Sequence, residues 1–205
     1  MEQLFPQISG FYDSVNQDRL YSADDMNRPY KRLVSNGVFA NQDGTPSDDL
    51  KVIANGTMNI TVNSGEGIFG YKWFASETQI ISVPSNNTAN PRIDSVIVQV
   101  DTRVAARVAN LVYRTGTPSA TPTPPALSLE TGVTEYRIAN VYITSGANAI
   151  TNANITDLRG SSSCPWVQAL IQQPDTSTMW TQWETAYQDY YNESTSNFES
   201  YEAAR

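Results

Sequence analysis

The side chains that move protons, attack carbon or hold metals are scarce in this sequence. It contains no histidine, which removes the commonest general base and the commonest metal ligand. Its single cysteine, Cys164, stands beside Pro165 and Trp166. One thiol excludes an internal disulfide framework and a thiolate zinc site within one chain, so Cys164 reads as a small packing residue. Carboxylates occur as Asp24/Asp25, as Asp48/Asp49 and as Glu66 beside a glycine turn. Glycoside hydrolysis needs two carboxyls about 5–10 Å apart across a cleft, whereas adjacent loop acids are usually solvated surface. Residues 41–49, NQDGTPSDD, supply oxygens without the spacing of a calcium loop. There is no phosphate-binding glycine loop, no serine elbow and no redox pair, and Gly65, Gly67 and Gly70 read as turn and close-packing residues. The expectation is a protein that is not an enzyme and uses no cofactor and no metal. Tyr71, Trp73 and Phe74 have the chemistry of a sugar-stacking platform. Within a strand they read first as core on one side and interface on the other.

The elements that would position these groups are mostly strands. SADDMNRPYKRLVSNG reads as a short helix near 22–35, with Ser22 as N-cap, Asp24 and Asp25 in the first turn, Pro29 limiting it and Asn36-Gly37 stopping it. Upstream, Asn16-Gln17-Asp18 reads as a tight polar turn. LKVIANGTMNITVNSG gives two short strands around Asn55-Gly56; GIFGYKWFA and TQIISV follow, then the loop SNNTANP. PRIDSVIVQVDTR is the clearest strand, with Ile93, Val96, Val98 and Val100 as its apolar set and Gln99 and Asp101 facing the other way. VAARVANLVYRTG returns after a turn at Asp101-Thr102, and PSATPTPPA reads as an extended polyproline-like connection. EYRIANVYITSG and ANAITNANITDLRG close the set. About seven or eight strands at this spacing predict a mainly β fold, a β-sandwich or small barrel with a short N-terminal helix.

Near residue 175 the texture changes. TSTMWTQWETAYQDYYNESTSNFESYEAAR has neither glycine nor proline. Trp180, Trp183, Tyr187, Tyr190, Ser194, Asn197 and Tyr201 repeat at 3-4 spacing, and Tyr191 and Phe198 widen the stripe. The organisation expected is a β-rich domain over 1–160, a hinge over 161–175 and a helical stalk over 176–205. The stripe lacks a second long helix in the chain to cover it, so it predicts oligomerisation through Trp180, Trp183, Tyr187, Tyr190, Tyr191, Phe198 and Tyr201.

Composition bounds the partners. The chain has 205 residues, 40% hydrophobic and 17% charged, with a net charge of −8, which suits a folded domain plus an appendage. Scattered Lys and Arg in an acidic chain argue against nucleic acid. No apolar run approaches the roughly 20 residues that span a bilayer. MEQLFPQISG lacks the pattern of a secretory signal, so synthesis and folding in a cytoplasm are expected.

Four segments, FYDSVNQDRLYSADDMNRPYKRLVSNGVFA, NPRIDSVIVQVDTR, GTPSATPTPPAL and EYRIANVYITSGANAITNANITDLRG, in this order, resemble the N-terminal module of phage tail baseplate and tail fibre proteins, similar to upper baseplate proteins and receptor-binding-protein adaptors. The resemblance covers about residues 10–160. It implies a virion protein of the tail baseplate or fibre, assembled in the host cytoplasm. Such a module would dock to other tail proteins through its β-domain and form a homo-oligomer, a trimer, through a following coiled-coil stalk that supports receptor-binding parts. Within such a module Arg92 and Asp94 are expected to pair with Asp157 and Arg159 of NITDLRG as a structural ion-pair network. The alternative function is a carbohydrate-binding module contacting the host cell wall directly through Tyr71 and Trp73. A tail-associated glycan hydrolase would rest on the acidic pairs alone.

Overall fold

The computed structural model describes residues 22–167 and 177–203. The Asn16–Asp18 turn and residues 168–176 lie outside them. The chain divides into two compact units, residues 1–170 and 171–205. Among the described residues the first is mainly strand in several sheets and the second is a helix.

The β-rich unit begins with two short helices, α1 (Ala23–Asn27) and α2 (Tyr30–Leu33). Ser22 caps α1 reciprocally: the Asp25 amide donates to its hydroxyl at 3.2 Å, and the Ser22 amide donates to the Asp25 carboxylate at 3.1 Å. Pro29 has no amide hydrogen to donate and separates the two helices, so the helix expected near 22–35 is two pieces.

Eleven strands follow among the described residues, not seven or eight. One sheet orders β11 (Trp166–Val167), β1 (Gly37–Phe39), β4 (Gly65–Phe69) and β5 (Lys72–Ser76). A second orders β10 (Ile155–Asp157), β9 (Val133–Ile143), β7 (Arg92–Asp101) and β8 (Val108–Arg114). The third orders β2 (Val52–Ala54), β3 (Asn59–Val62) and β6 (Gln79–Ser82). These are open sheets and no closed barrel forms, so the barrel alternative is wrong. Strand number alone does not close a sheet, because closure needs a consistent stagger from strand to strand. The part of the expected hinge that is described, residues 161–167, is tied into the first sheet, where Trp166 and Val167 pair parallel to Val38 and Phe39.

The β4–β5 hairpin turns on Gly70 and Tyr71, both left-handed at φ 57° and 58°, as a two-residue turn matching strand twist requires. The Tyr71 amide donates to Asn36 Oδ1 at 2.8 Å, which holds the unfavoured tyrosine conformation in place.

The core draws on all three sheets: Val38 and Phe69 from the first, Val96, Val98 and Val141 from the second, Ile60 and Val62 from the third, all fully buried. Phe69 meets Phe74 edge-on at 5.8 Å and Tyr136 at 5.1 Å. The Tyr136 hydroxyl accepts from the Gly70 amide at 3.1 Å, a polar tie between the first and second sheets.

Strand β7 is buried on both faces. Its core face carries Asp94, Val96, Val98 and Val100. Ile93 alternates to the other face, contrary to the expected apolar set, and a register shift against β9 falls between Val96 and Ile97. On the far face Ile97 is fully buried beside Gln99, with Arg114, Glu135 and Arg137 on the neighbouring strands. The proline-rich connection crosses that face and is pinned there. Arg114 donates to the Ala126 carbonyl at 2.8 Å, Arg137 donates to the Pro125 carbonyl, and the Ser128 amide donates to Glu135 at 2.6 Å. Glu135 also accepts from Gln99 at 2.6 Å and from both terminal nitrogens of Arg114 at 2.6 and 2.8 Å. The Arg114 guanidinium above all, with the Ser128 amide and Gln99, holds the Glu135 carboxyl down at about 2.

Two outcomes follow from this arrangement. On the core face of β7 Arg92 holds the buried Asp94 carboxylate at 2.9 Å, so Arg92→Ala strands that carboxylate and should cost about 3–5 kcal/mol of unfolding free energy, read as a fall in thermal midpoint. Glu135 ordinarily titrates near 4.5 and in the folded chain near 2, so the unfolded chain takes up the proton first as pH falls. The stabilisation is full above about pH 4.5 and drains towards pH 2, on the order of 3 kcal/mol in all. Denaturant titrations across this range should show a steep loss of stability that Glu135→Gln flattens; an equal slope in both chains would refute the assignment.

Candidate functional site: the aromatic face of the terminal helix

Helix α3 (Ser177–Ala203) has 27 residues, a rod about 40 Å long. Absence of glycine and proline permits it. Hydroxyls that would compete with the helix bind back to its own carbonyls: Thr185 to Thr181, Thr195 to Tyr191, both at 2.9 Å, and Ser200 to Asn197 at 2.8 Å.

At about 100° per residue, Trp180, Trp183, Tyr187, Tyr190, Tyr191, Phe198 and Tyr201 fall in one sector about 100° wide. All seven are between 52% and 71% exposed. The rings partly order one another: Trp180 and Trp183 meet edge-on at 5.8 Å, and Trp183 and Tyr187 stack at 5.6 Å with planes 15° apart. Ser194 lies inside the sector and Asn197 at its margin, so the stripe has a polar break before Phe198.

The helix charges are all of one sign. Glu184, Asp189, Glu193, Glu199 and Glu202 have no Lys or Arg among them. Asp189 and Glu193 sit four apart, where like charges destabilise a helix, and Glu199 and Glu202 crowd the negative end of the helix dipole. Local electrostatics therefore oppose this helix, and burial of its aromatic stripe is the available compensation.

Other sequence-predicted residues have defined places. Arg92 and Asp94 bind each other at 2.9 Å, and Arg159 and Asp157 at 2.7 Å. Among the described residues no hydrogen bond joins one pair to the other, so they act as separate clamps. Arg159 also donates to the carbonyls of Ser47 and Asp49 at 2.9 and 2.6 Å and lies over the Trp166 ring at 5.2 Å. The sequence-predicted acids serve as acceptors: Asp24 of α1 binds Lys72 of β5 at 3.0 Å, Asp48 binds Lys51 at 2.7 Å, Asp43 accepts from Thr45, and Asp49 accepts from the Glu66 amide. Among the described residues no three carboxylate or thiol groups gather as a metal site. Of the aromatic trio, Phe74 is buried, Tyr71 lies under the Lys31 ammonium at 5.6 Å, and Trp73 stays 65% exposed.

Sequence reasoning missed the Glu135–Arg114–Gln99 clamp and the Asp101–Arg103–Glu130 cluster. The second had a signal. Asp101-Thr102-Arg103 repeats the Asp-x-Arg spacing of Asp157-Leu158-Arg159, and in both the arginine amide donates back to the aspartate at 3.0 Å while its guanidinium takes the carboxylate.

No helix among the described residues is long and apolar enough to cross a membrane. The chain matches no protein-family model, no curated protein and no solved structure.

The one-sided charge gives a direct test. Glu193→Lys replaces the Asp189–Glu193 repulsion with an attraction of about 0.2–0.5 kcal/mol, and far-ultraviolet circular dichroism should show a gain in helix at low salt that high salt erases.

Proposed function

We propose that this chain is a structural component of a phage tail baseplate or tail fibre, resident in the virion and without catalytic activity. The β-rich unit is its attachment domain, a sandwich whose sheets face across the Phe69–Tyr136 core, and it docks to other tail proteins. Helix α3 is the stalk, pairing with copies of itself to support host-binding parts. The observation that carries this reading is seven aromatic rings, all more than half exposed, in one sector of a helix that its own charges destabilise. Isolated surface aromatics are ordinary, but seven of them on one face of a helix mark an interaction site. Each ring can bury about 150–250 Å², so the stripe can supply the about 800 Å² per partner of a standard interface. The ordered likeness of four segments to baseplate and fibre modules supplies the setting and the number, three copies.

Light scattering of residues 1–205 should give a trimer, and a chain cut after residue 174 a monomer. Trp183→Ala or Tyr187→Ala should shift the full chain towards monomer while the β-rich unit keeps its thermal transition. Higher salt should tighten the assembly by screening the acidic helices. A full-length chain that stays monomeric at high concentration and high salt overturns the stalk.

A further inference from the structure

A groove of about 460 Å³ lies on the β-rich unit between the start of α1, the β4–β5 hairpin and the β7–β8 turn. Trp73 forms one wall, Val100, Val108 and Ala109 give apolar lining, and Asp24, Lys72, Asp101 and Arg107 bring charge to it. The Trp73 indole donates to Glu66 Oε2 at 3.0 Å. That bond satisfies the ring's only polar atom and fixes its plane, so what a 65%-exposed indole offers a partner is a flat, immobile apolar face.

The charges around it are spoken for, with one exception. Lys72 and Asp24 pair at 3.0 Å, and Arg103 takes both Asp101 and Glu130 at 2.6 Å. Arg107 is exposed and makes no side-chain hydrogen bond or ion pair among the described residues. It ends the β7–β8 turn with a left-handed backbone, φ 50°, held by its amide donating to the Arg103 carbonyl at 3.1 Å. A left-handed arginine is disfavoured, and here it fixes the position from which the side chain departs at the groove. The groove thus combines a rigid aromatic face with an uncommitted guanidinium fork, in a chain whose net charge is −8.

We propose that this groove binds an acidic saccharide: the C–H face of a sugar ring lies on Trp73, and a carboxylate or phosphate on the sugar takes the paired N–H donors of Arg107. Guanidinium matches the planar, two-oxygen geometry of such anions, and the exposed Asp24 carboxylate can accept from ring hydroxyls. The volume is that of a small-molecule site, about 300–1,000 Å³, which favours a sugar unit over a folded protein. This inference needs neither the stalk nor assembly and stands apart from them.

The test is isothermal titration of the full chain with a uronic-acid trisaccharide, with a sugar phosphate, and with a neutral trisaccharide. Binding of either acidic sugar at least about tenfold tighter than the neutral one is expected, and the tighter of the two tells carboxylate from phosphate. Arg107→Gln should bring the acidic sugar to the neutral level, and Trp73→Ala should abolish both. Neither exposed substitution should move the thermal midpoint. The proposal is overturned by no binding of either acidic sugar at millimolar concentration, the outcome expected of a protein-docking face. It is also overturned by acidic-sugar affinity that Arg107→Gln leaves unchanged.

Discussion

The β-rich unit is organised around a carboxylate with no access to water. Asp94 is 0% exposed, and an ion in that position persists only if its lone pairs are met from all sides. They are met by Arg92 through two nitrogens, by the Tyr113 hydroxyl at 2.6 Å and by the Gly116 amide at 2.8 Å. Burial, then the neighbouring carboxylate, pushes the Tyr113 phenol far above its usual range, so it remains a donor. The third nitrogen of Arg92, Nη1, donates to the Ser85 carbonyl, and Nη2, which already holds Asp94, also donates to the Pro84 carbonyl. One ion pair thereby fixes the start of β7, the loop before it, the end of β8 and the start of the proline-rich connection. Gly116 is required there because a Cβ would overlap the Ile93 carbonyl.

The same device recurs where chain segments must be held without a ladder of backbone hydrogen bonds. Arg159 anchors the end of β10 to the loop carbonyls of Ser47 and Asp49, and Glu135 holds the proline-rich connection. Prolines cannot join a sheet by donating, so that segment is attached through the carbonyls of Pro125 and Ala126 and through the amides of Gly116, Ser119 and Ser128 at its two ends. Charged side chains do in this fold what strand pairing does elsewhere, and they cluster on strands β7, β8 and β9, whose backbones are already fixed.

Much of this was legible and part was not. Four prolines within nine residues announced an extended segment, Asn55-Gly56 announced a turn between β2 and β3, and Pro29 announced the break between α1 and α2. Strand β7 was evident from its β-branched run. Its two-sided burial was not, because Ile97 is covered by a connection whose path no local pattern encodes. The short strands β1, β10 and β11 span two or three residues, too few to establish a period of two, and β1 meets β11 in parallel across most of the length of the unit. Pairing of Arg92 with Asp94 follows from alternation, since residues two apart on a strand share a face, whereas Asp157 meets Arg159 just past the end of β10, where the Arg159 amide turns back onto the Asp157 carboxylate. A link between the two pairs would have required their strand positions to coincide in space, which spacing cannot report. In the candidate sites, the aromatic stripe of α3 could be read directly, whereas the groove beside Trp73 depends on which cations are already paired.

Cys164 is fully buried, and burial raises its thiol to about 12. Exchange and oxidation proceed through the thiolate, a form this site withholds at physiological pH. As the chain has no other cysteine, its covalent state is indifferent to passage from a reducing interior to an oxidising exterior.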